Sequence, residues 1–318
     1  MAELAKSYCQ QYAANVHRMA SQRGSKLRNL VSNVELKGKA KFFDRIHQTQ
    51  VQQYSGRFAE SPTIETKFSR RKLEASEWHW GDMIDWGEDL KIFFDPTSDI
   101  VRVGANAFGK KIDEIILSAM SGSAWEGEEG KTEVQFPTSQ VIPITAGAGS
   151  ENKGLTIEKL IRAKSLFGKN DIDESDPAFE LYMAVTQNQL DDLLRTTEVT
   201  SSEYNTVRAL VNGEIDKFMG FKFVRMAANS VVSGEEMGQQ NENLITWGLK
   251  GTAVSGGISR ECIAWSKSYI KFATPQDVTM RIAEREDKCF NWYAYGRMSA
   301  GAIRIEDAGV VKIACFES

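Results

Sequence analysis

Along Asp95–Gly122, DPTSDIVRVGANAFGKKIDEIILSAMSG, apolar positions recur at three- and four-residue steps. Val101, Ala105, Phe108, Ile112, Ile115 and Ala119 form one stripe, with Arg102, Asn106, Lys110 and Asp113 on the other side, which predicts a long amphipathic helix. Asp95 suits the N-cap, Pro96 the first helical position and Gly122 the stop. At about 1.5 Å per residue this helix would be roughly 40 Å long. Gly104 and Gly109 each cost about 1 kcal/mol relative to Ala, so the helix needs packing to persist.

Upstream, residues 2–23 suit a helix, with Leu4, Tyr8, Tyr12 or Ala13 and Val16 near one face, and Gly24 breaks the pattern. From Gly38 to Asp95 the chain reads as extended. Gln48–Gln53 tolerates a strand, Ile64, Thr66 and Phe68 alternate, and YSGRFAESP between them is turn-like. Downstream, Ser123–Gly130 is rich in Gly and Glu and expected to be mobile. Val141–Thr145 is a short strand, and Thr156 caps a helix with Ile157, Leu160 and Ile161 inward, ending near Gly168. Phe179–Val185 reads as a buried strand, Gln187–Leu194 and Glu203–Val211 as short helices, and Phe218–Met226 as a strand kinked at Gly220. Residues 227–243 form a long polar loop. The remainder is mostly strand: Glu261–Trp265, Tyr269–Ala273, Val278–Glu286, Phe290–Met298, Ala302–Glu306 and Val310–Phe316. In the last, Val311, Ile313 and Cys315 oppose Lys312. Helices and antiparallel strands segregate rather than alternate, which gives the α+β class.

Composition adds bounds. The 318 residues are 42% hydrophobic and 26% charged, which suits one large or two modest domains, and the longest apolar runs are too short to span a membrane. The first twenty residues contain no apolar signal-peptide core. Cys9, Cys262, Cys289 and Cys315 are scattered and read as buried thiols from a reducing compartment. The net charge of −4 conceals an asymmetry: residues 1–45 carry nine Lys/Arg against three Asp/Glu, and the rest 30 against 40. A basic arm on an acidic body meets an acidic partner, either nucleic acid or another copy of that body. No aromatic residue interleaves the charges between Arg18 and Lys41, which favours the other copy, or plain solvent exposure, over nucleic acid.

Candidate chemistry is sparse. Gly149, Gly154 and Thr156 have P-loop spacing between a strand and a helix, but the position that needs Lys is Leu155. Asp171, Asp173, Glu174 and Asp176 cluster, yet Asp176 stands where a calcium loop needs Gly, and Tyr182 where it needs Glu. The only histidines are His17, His47 and His79, which leaves the following 240 or so residues without an imidazole for nucleophilic catalysis. Neither a cofactor nor a metal is expected. The distinctive local feature is the basic cluster Arg70, Arg71 and Lys72, followed by an acidic run holding Trp78, Trp80 and Trp86. Aromatic and Arg residues favour interface cores, so this stretch reads as a subunit contact as well as a packing surface.

The order of parts, and segments such as LTIEKLIRAKSLFGKNDID, ELYMAVTQNQLDDLL, EYNTVRALVNGEIDKFMGFKFVRM and GAIRIEDAGVVKIAC, resemble tailed-phage major capsid proteins of podovirus and prophage type. The resemblance covers roughly residues 45–318 and is most specific over Leu155–Met226. It implies the tailed-phage and herpesvirus capsid (Johnson) fold. Residues 1–45 would be an N-terminal arm and 46–94 an extended loop. Residues 95–154 and 271–318 would be a peripheral domain with the spine helix at 95–122, and 155–270 an axial domain.

In function the resemblance implies a non-enzymatic subunit that assembles through pentamers and hexamers into an icosahedral head around double-stranded DNA. Partners would be other copies of the chain, a portal protein, a decoration protein where one exists, and DNA contacted without sequence specificity, with no membrane. Only about 45 residues precede the loop, which implies a separate scaffolding protein. Location would be the virion, after assembly in the host cytoplasm. Arg57, Lys67, Arg70, Arg71 and Lys72 are expected to meet acidic surface on the next subunit, with Trp78, Trp80 and Trp86 buried where the loop joins the body. Assembly is expected to be non-covalent. A portal or tail component, and less readily a soluble enzyme with a carboxylate site, are the competing readings.

Overall fold

The structure is a computed structural model that describes residues 22–51, 53, 56, 65–84, 96–147, 151–172, 176, 179–195, 217–229 and 248–317. The expected helix at 2–23 up to residue 21, the expected helix at 203–211, Asp95, most of the 227–243 loop and the 148–150 part of the glycine loop lie outside those residues.

The long helix forms as α1 (Pro96–Ser121). Its buried face is rotated from the expected stripe. Phe108, Ile112, Ile116, Leu117 and Met120 are buried, whereas Ala105 is exposed and Ile115 and Ala119 are half-buried. Full burial of each large apolar side chain contributes about 1.5–3 kcal/mol, which outweighs the propensity cost of the two glycines. Both glycines are sites of close approach. A Cβ at Gly104 would lie 2.7 Å from the Trp80 ring and 2.8 Å from Met280 Cε. One at Gly109 would lie 2.6 Å from Gly24 Cα and closer still to its carbonyl carbon.

Helix α1 packs on a four-stranded sheet of order β1–β13–β14–β4. Its strands are β1 (Ser32–Asn33), β4 (Ser76–Ile84), β13 (Ile270–Arg285) and β14 (Asn291–Arg304). The two strands expected at 269–273 and 278–286 are one strand, β13, and those at 290–298 and 302–306 are largely one strand, β14. What separated the first pair is an irregularity, with register shifts around Gln276. Pro275 lies at that point and has no N–H to donate to a ladder, so the pairing slips there instead of ending.

A second four-stranded sheet has the order β2–β3–β5–β6, from β2 (Ala40–Ile46), β3 (Phe68–Glu74), β5 (Ala124–Glu126) and β6 (Thr132–Val134). Thus Ser123–Gly130, expected to be mobile, instead supplies β5 and the turn of a hairpin, with Ala124 opposite Val134. The β2–β3 ladder runs from Ala40↔Glu74 to Ile46↔Phe68.

The third sheet has seven strands in the order β7–β15–β12–β8–β10–β9, with β11 pairing β12. They are β7 (Val141–Ile142), β8 (Leu181–Val185), β9 (Lys217–Phe218), β10 (Phe221–Arg225), β11 (Gly251–Val254), β12 (Gly257–Ser266) and β15 (Val310–Glu317). Every residue of β8 is buried, as its unbroken apolar run requires. Met219 and Gly220, both at positive φ, turn β9 into β10. Helices α2 (Ile157–Lys169) and α3 (Gln187–Arg195) contact β15. Thr156 caps α2 by accepting a bond from the Lys159 N–H. The buried face of α2 is Leu160, Ala163 and Phe167, whereas Ile161, expected inward, is 51% exposed. Lys159 takes an inward position because its ammonium donates to the carbonyls of Lys153 (2.7 Å) and Ala314 (2.9 Å). Trp265, fully buried, stacks on Tyr182 and donates its indole N–H to the Leu30 carbonyl. Of the described cysteines, Cys262 and Cys315 are buried as expected, but Cys289 is exposed in the β13–β14 turn.

Candidate subunit-contact surface

The stretch around Arg70–Trp80 divides into an outer and an inner set, because side chains alternate along β3 and β4. Arg70 lies on the outer face, beside Phe42 and paired with Asp44 on β2 at 2.5 Å. This pairing holds the exposed Asp44 carboxyl below its ordinary range, mainly through the hydrogen bond. Lys67 is exposed, and Lys72 pairs with Glu74 at 2.8 Å. The same surface leaves Phe42, Ile46 and Phe68 exposed at 39%, 68% and 70%. Ile46 and Phe68 are cross-strand partners, so they form one apolar tip next to the Arg70–Asp44 pair.

Arg71 is different, and this corrects the expectation that it meets a neighbouring subunit. It is 1% exposed and grips Asp307 with both Nη atoms, at 3.0 and 2.7 Å, while Nη1 also reaches the Arg304 carbonyl at 2.9 Å. A side chain with no free surface cannot carry a contact between copies. Arg304, also fully buried, donates Nε to Asp307 at 2.6 Å and Nη1 to the carbonyls of Met120 and Gly122 at 2.8 and 2.9 Å. It thereby satisfies carbonyls at the C-terminus of α1, where a cation is also favoured by the helix dipole. Arg45 on β2 adds a two-pronged pair with Glu306 at 3.0 and 3.2 Å. Burial lowers the Arg304 pKa, because the charged form is desolvated. For Asp307 burial acts upward, but the Arg71 and Arg304 guanidiniums more than offset it and hold the carboxyl below its ordinary range. Two β2–β3 arginines are therefore bolted to the β14–β15 connection.

Trp78 and Trp80 face inward and pack against the main core cluster. Lys111 of α1 sits 4.0 Å from the centre of the Trp78 ring, a cation–π contact, and Trp80 fills the space that Gly104 leaves. Arg57 and Trp86 lie outside the described residues.

Sequence reasoning put Asp113 on the solvent side of α1, yet it is 2% exposed. Its carboxylate accepts from Ser25 Oγ (2.5 Å), the N–H groups of Lys26 (3.1 Å) and Leu27 (3.0 Å), and Gln22 Nε2. With Gly109 admitting the Gly24 backbone one turn away, Asp113 fastens residues 22–27 to α1. The arm continues through the Arg28–Asp277 pair and the parallel β1–β13 pairing. A carboxylate four residues after a helical Gly was the only signal the sequence offered for it. Glu317 was also missed. It joins Arg260 (3.0 and 2.9 Å), Thr186 and Gln189 (both 2.9 Å) inside the seven-stranded sheet.

Among the described residues, no group of three or more His, Cys, Asp and Glu could hold a metal ion, and no helix is long and apolar enough to cross a membrane. His47 and His79 are both exposed.

Comparison with known proteins supplies the family. The model of a phage capsid protein family matches residues 4–317. No curated protein matches the chain. Among solved structures, the capsid of Ralstonia phage GP4 is similar with a TM-score of 0.67 at 10% identity, covering 100% of this chain and 98% of that one. The cyanophage Pam1 capsid gives 0.66 at 10% identity and 99% of both chains. The cyanophage P-SCSP1u capsid gives 0.64 at 14%, covering 98% and 94%. Such identities carry the fold, and the family model carries the membership. The chain therefore belongs to the phage capsid protein family and is a major capsid protein with the tailed-phage capsid fold.

Proposed function

We propose that this subunit makes its shell contacts chiefly through the outer face of the β2–β3 ladder, set over an adjacent copy. The supporting observation is the combination of an apolar tip, Ile46 and Phe68, with an ion-bolted base, Arg45 and Arg71. An exposed apolar patch on a stiff mount loses little conformational freedom on docking. Lys67, Arg70 and Lys72 steer this face toward acidic surface on the neighbour, and Arg57 and Trp86 belong to the same extended loop at 46–94. Leu73 and Phe43 support it from beneath, packed with Leu36, Ala273 and Ile303, while Trp78 and Trp80 pack on the main core.

In this reading residues 1–45 are the arm, 95–154 and 271–318 the peripheral domain, and 155–270 the axial domain. In this division β15 pairs with β12 across the boundary between the two domains, while β13 and β14 pack on α1. Pentamers and hexamers of such subunits close into an icosahedral head around double-stranded DNA. They are aided by a separate scaffolding protein, a portal and, where present, a decoration protein. Assembly is non-covalent and takes place in the host cytoplasm. No enzymatic role is assigned.

The test is co-expression with the scaffold, scored by negative-stain microscopy. Arg70→Glu with Lys67→Glu should sharply lower particle yield while leaving the subunit folded. Unchanged yield and heat stability would overturn the ladder contact.

A further inference from the structure

The joint beneath the ladder is incomplete in one place. Arg45 Nη1 and Arg71 Nε are buried and have no hydrogen-bond partner. Both lie near one atom, Glu126 Oε2, at 3.7 and 3.8 Å. Those separations are within ion-pair range but beyond hydrogen-bond reach, so two desolvated donors face a carboxylate that stops short of both. Glu126 is on β5, which joins β3 through the single register pair Arg71↔Glu126, supplemented by the Gly127 N–H on the Arg70 carbonyl. A strand held this lightly can shift by the ångström that would complete both bonds. The adjacent residue, Trp125, points to the opposite face and is 47% exposed.

We propose that Glu126 is the bolt of a two-position latch, open in the single chain and closed when a second copy covers Trp125. Closure lets one carboxylate accept from both strands of the ladder and fixes the β2–β3 sheet rigidly to the β5–β6 hairpin. The occupant of the Trp125 surface is a second copy because this is a shell-forming chain. Trp125 is also continuous, through β5 and β3, with the ladder face assigned to subunit contact. The latch rests on that assignment. It adds that assembly changes the stiffness of the mount, so contact at one place alters the geometry offered at another.

The experiment is amide hydrogen exchange on the full chain, as free subunits and as assembled shells, for wild type, Glu126→Gln and Glu126→Asp. In wild type, exchange at residues 69–73 and 124–127 should slow on assembly by about tenfold beyond any slowing at control strands. Glu126→Gln should lose that gain, with its free subunits changed less than its shells. Glu126→Asp keeps the charge but is one methylene short, and should lose it too. Equal effects of Glu126→Gln on free and assembled protein would make the pair an ordinary static ion pair. Wild-type behaviour of Glu126→Asp would show that charge alone matters. Either result overturns the latch, as does an absence of extra slowing in wild-type shells. Failure of the wild-type chain to form shells would instead count against the assembly reading.

Discussion

Arg71 on β3 and Asp307 before β15, 236 positions apart in the chain, form a two-pronged ion pair in which the arginine is buried and the carboxylate keeps one edge toward solvent. Removing Arg71 leaves Asp307 held by Arg304 alone and takes one of two arginines away from Glu126. Arg71→Ala should therefore cost the subunit about 2–3 kcal/mol. Arg71→Lys should recover little, because an ammonium cannot reproduce the guanidinium fork. Urea midpoints of the two variants check both statements.

Asp113 makes a second prediction. Asp113→Ala strips acceptors from two backbone N–H groups and two side chains of residues 22–27. The expected loss is about 2–4 kcal/mol, with new protease cleavage within residues 22–34 under native conditions. Wild-type resistance at those bonds in the variant would show that the arm is held elsewhere.

The two helix glycines separate local preference from packing. Propensity alone predicts that Gly→Ala in α1 stabilises by about 1 kcal/mol. At Gly109 the new methyl meets the Gly24 backbone, whereas at Gly104 it meets the side chains of Trp80 and Met280. Gly109→Ala should destabilise, and by more than Gly104→Ala, since Met280 can move and a pinned backbone cannot. Thermal melts followed by circular dichroism give the order.

Acid should loosen the molecule from two places. At Glu317 burial acts to raise the pKa, but hydrogen bonds from Arg260, Gln189 and Thr186 outweigh it and hold the carboxyl low, as the arginines do for Asp307. A carboxyl depressed in the folded state contributes stability above its unfolded pKa, near about 4. That contribution disappears as pH falls through the folded value. Stability should thus decline below about pH 5, and Glu317→Gln should flatten part of that decline in urea titrations at successive pH values.

The elements visible in the sequence are those determined by their own side chains. Helix α1 was marked by periodicity and Pro96, α2 by the Thr156 cap, β8 by its apolar run and β15 by alternation of Val311, Ile313 and Cys315 around Lys312. What stayed hidden depends on distant partners. Arg71 looks like a surface cation in RRK until Asp307 is brought to it. Asp113 looks solvated until residues 22–27 arrive. Ile161 looks like core until Lys159 finds two carbonyls. The Arg70–Trp80 stretch stood out in the sequence as a region, but the division into outer Arg70 and inner Arg71 needed the strand register and the acids beyond it.

The β1–β13 pairing, Ser32 beside Lys271 and Asn33 beside Phe272, has a consequence in time. Loops of that length close slowly, and the Arg71–Asp307 joint closes one of similar span. The arm's docking and the ladder's mount both depend on segments from the opposite end of the chain. In a half-folded molecule the 22–34 segment is therefore undocked and the β2–β3 ladder unfastened, and both settle only when the last third of the chain is in place.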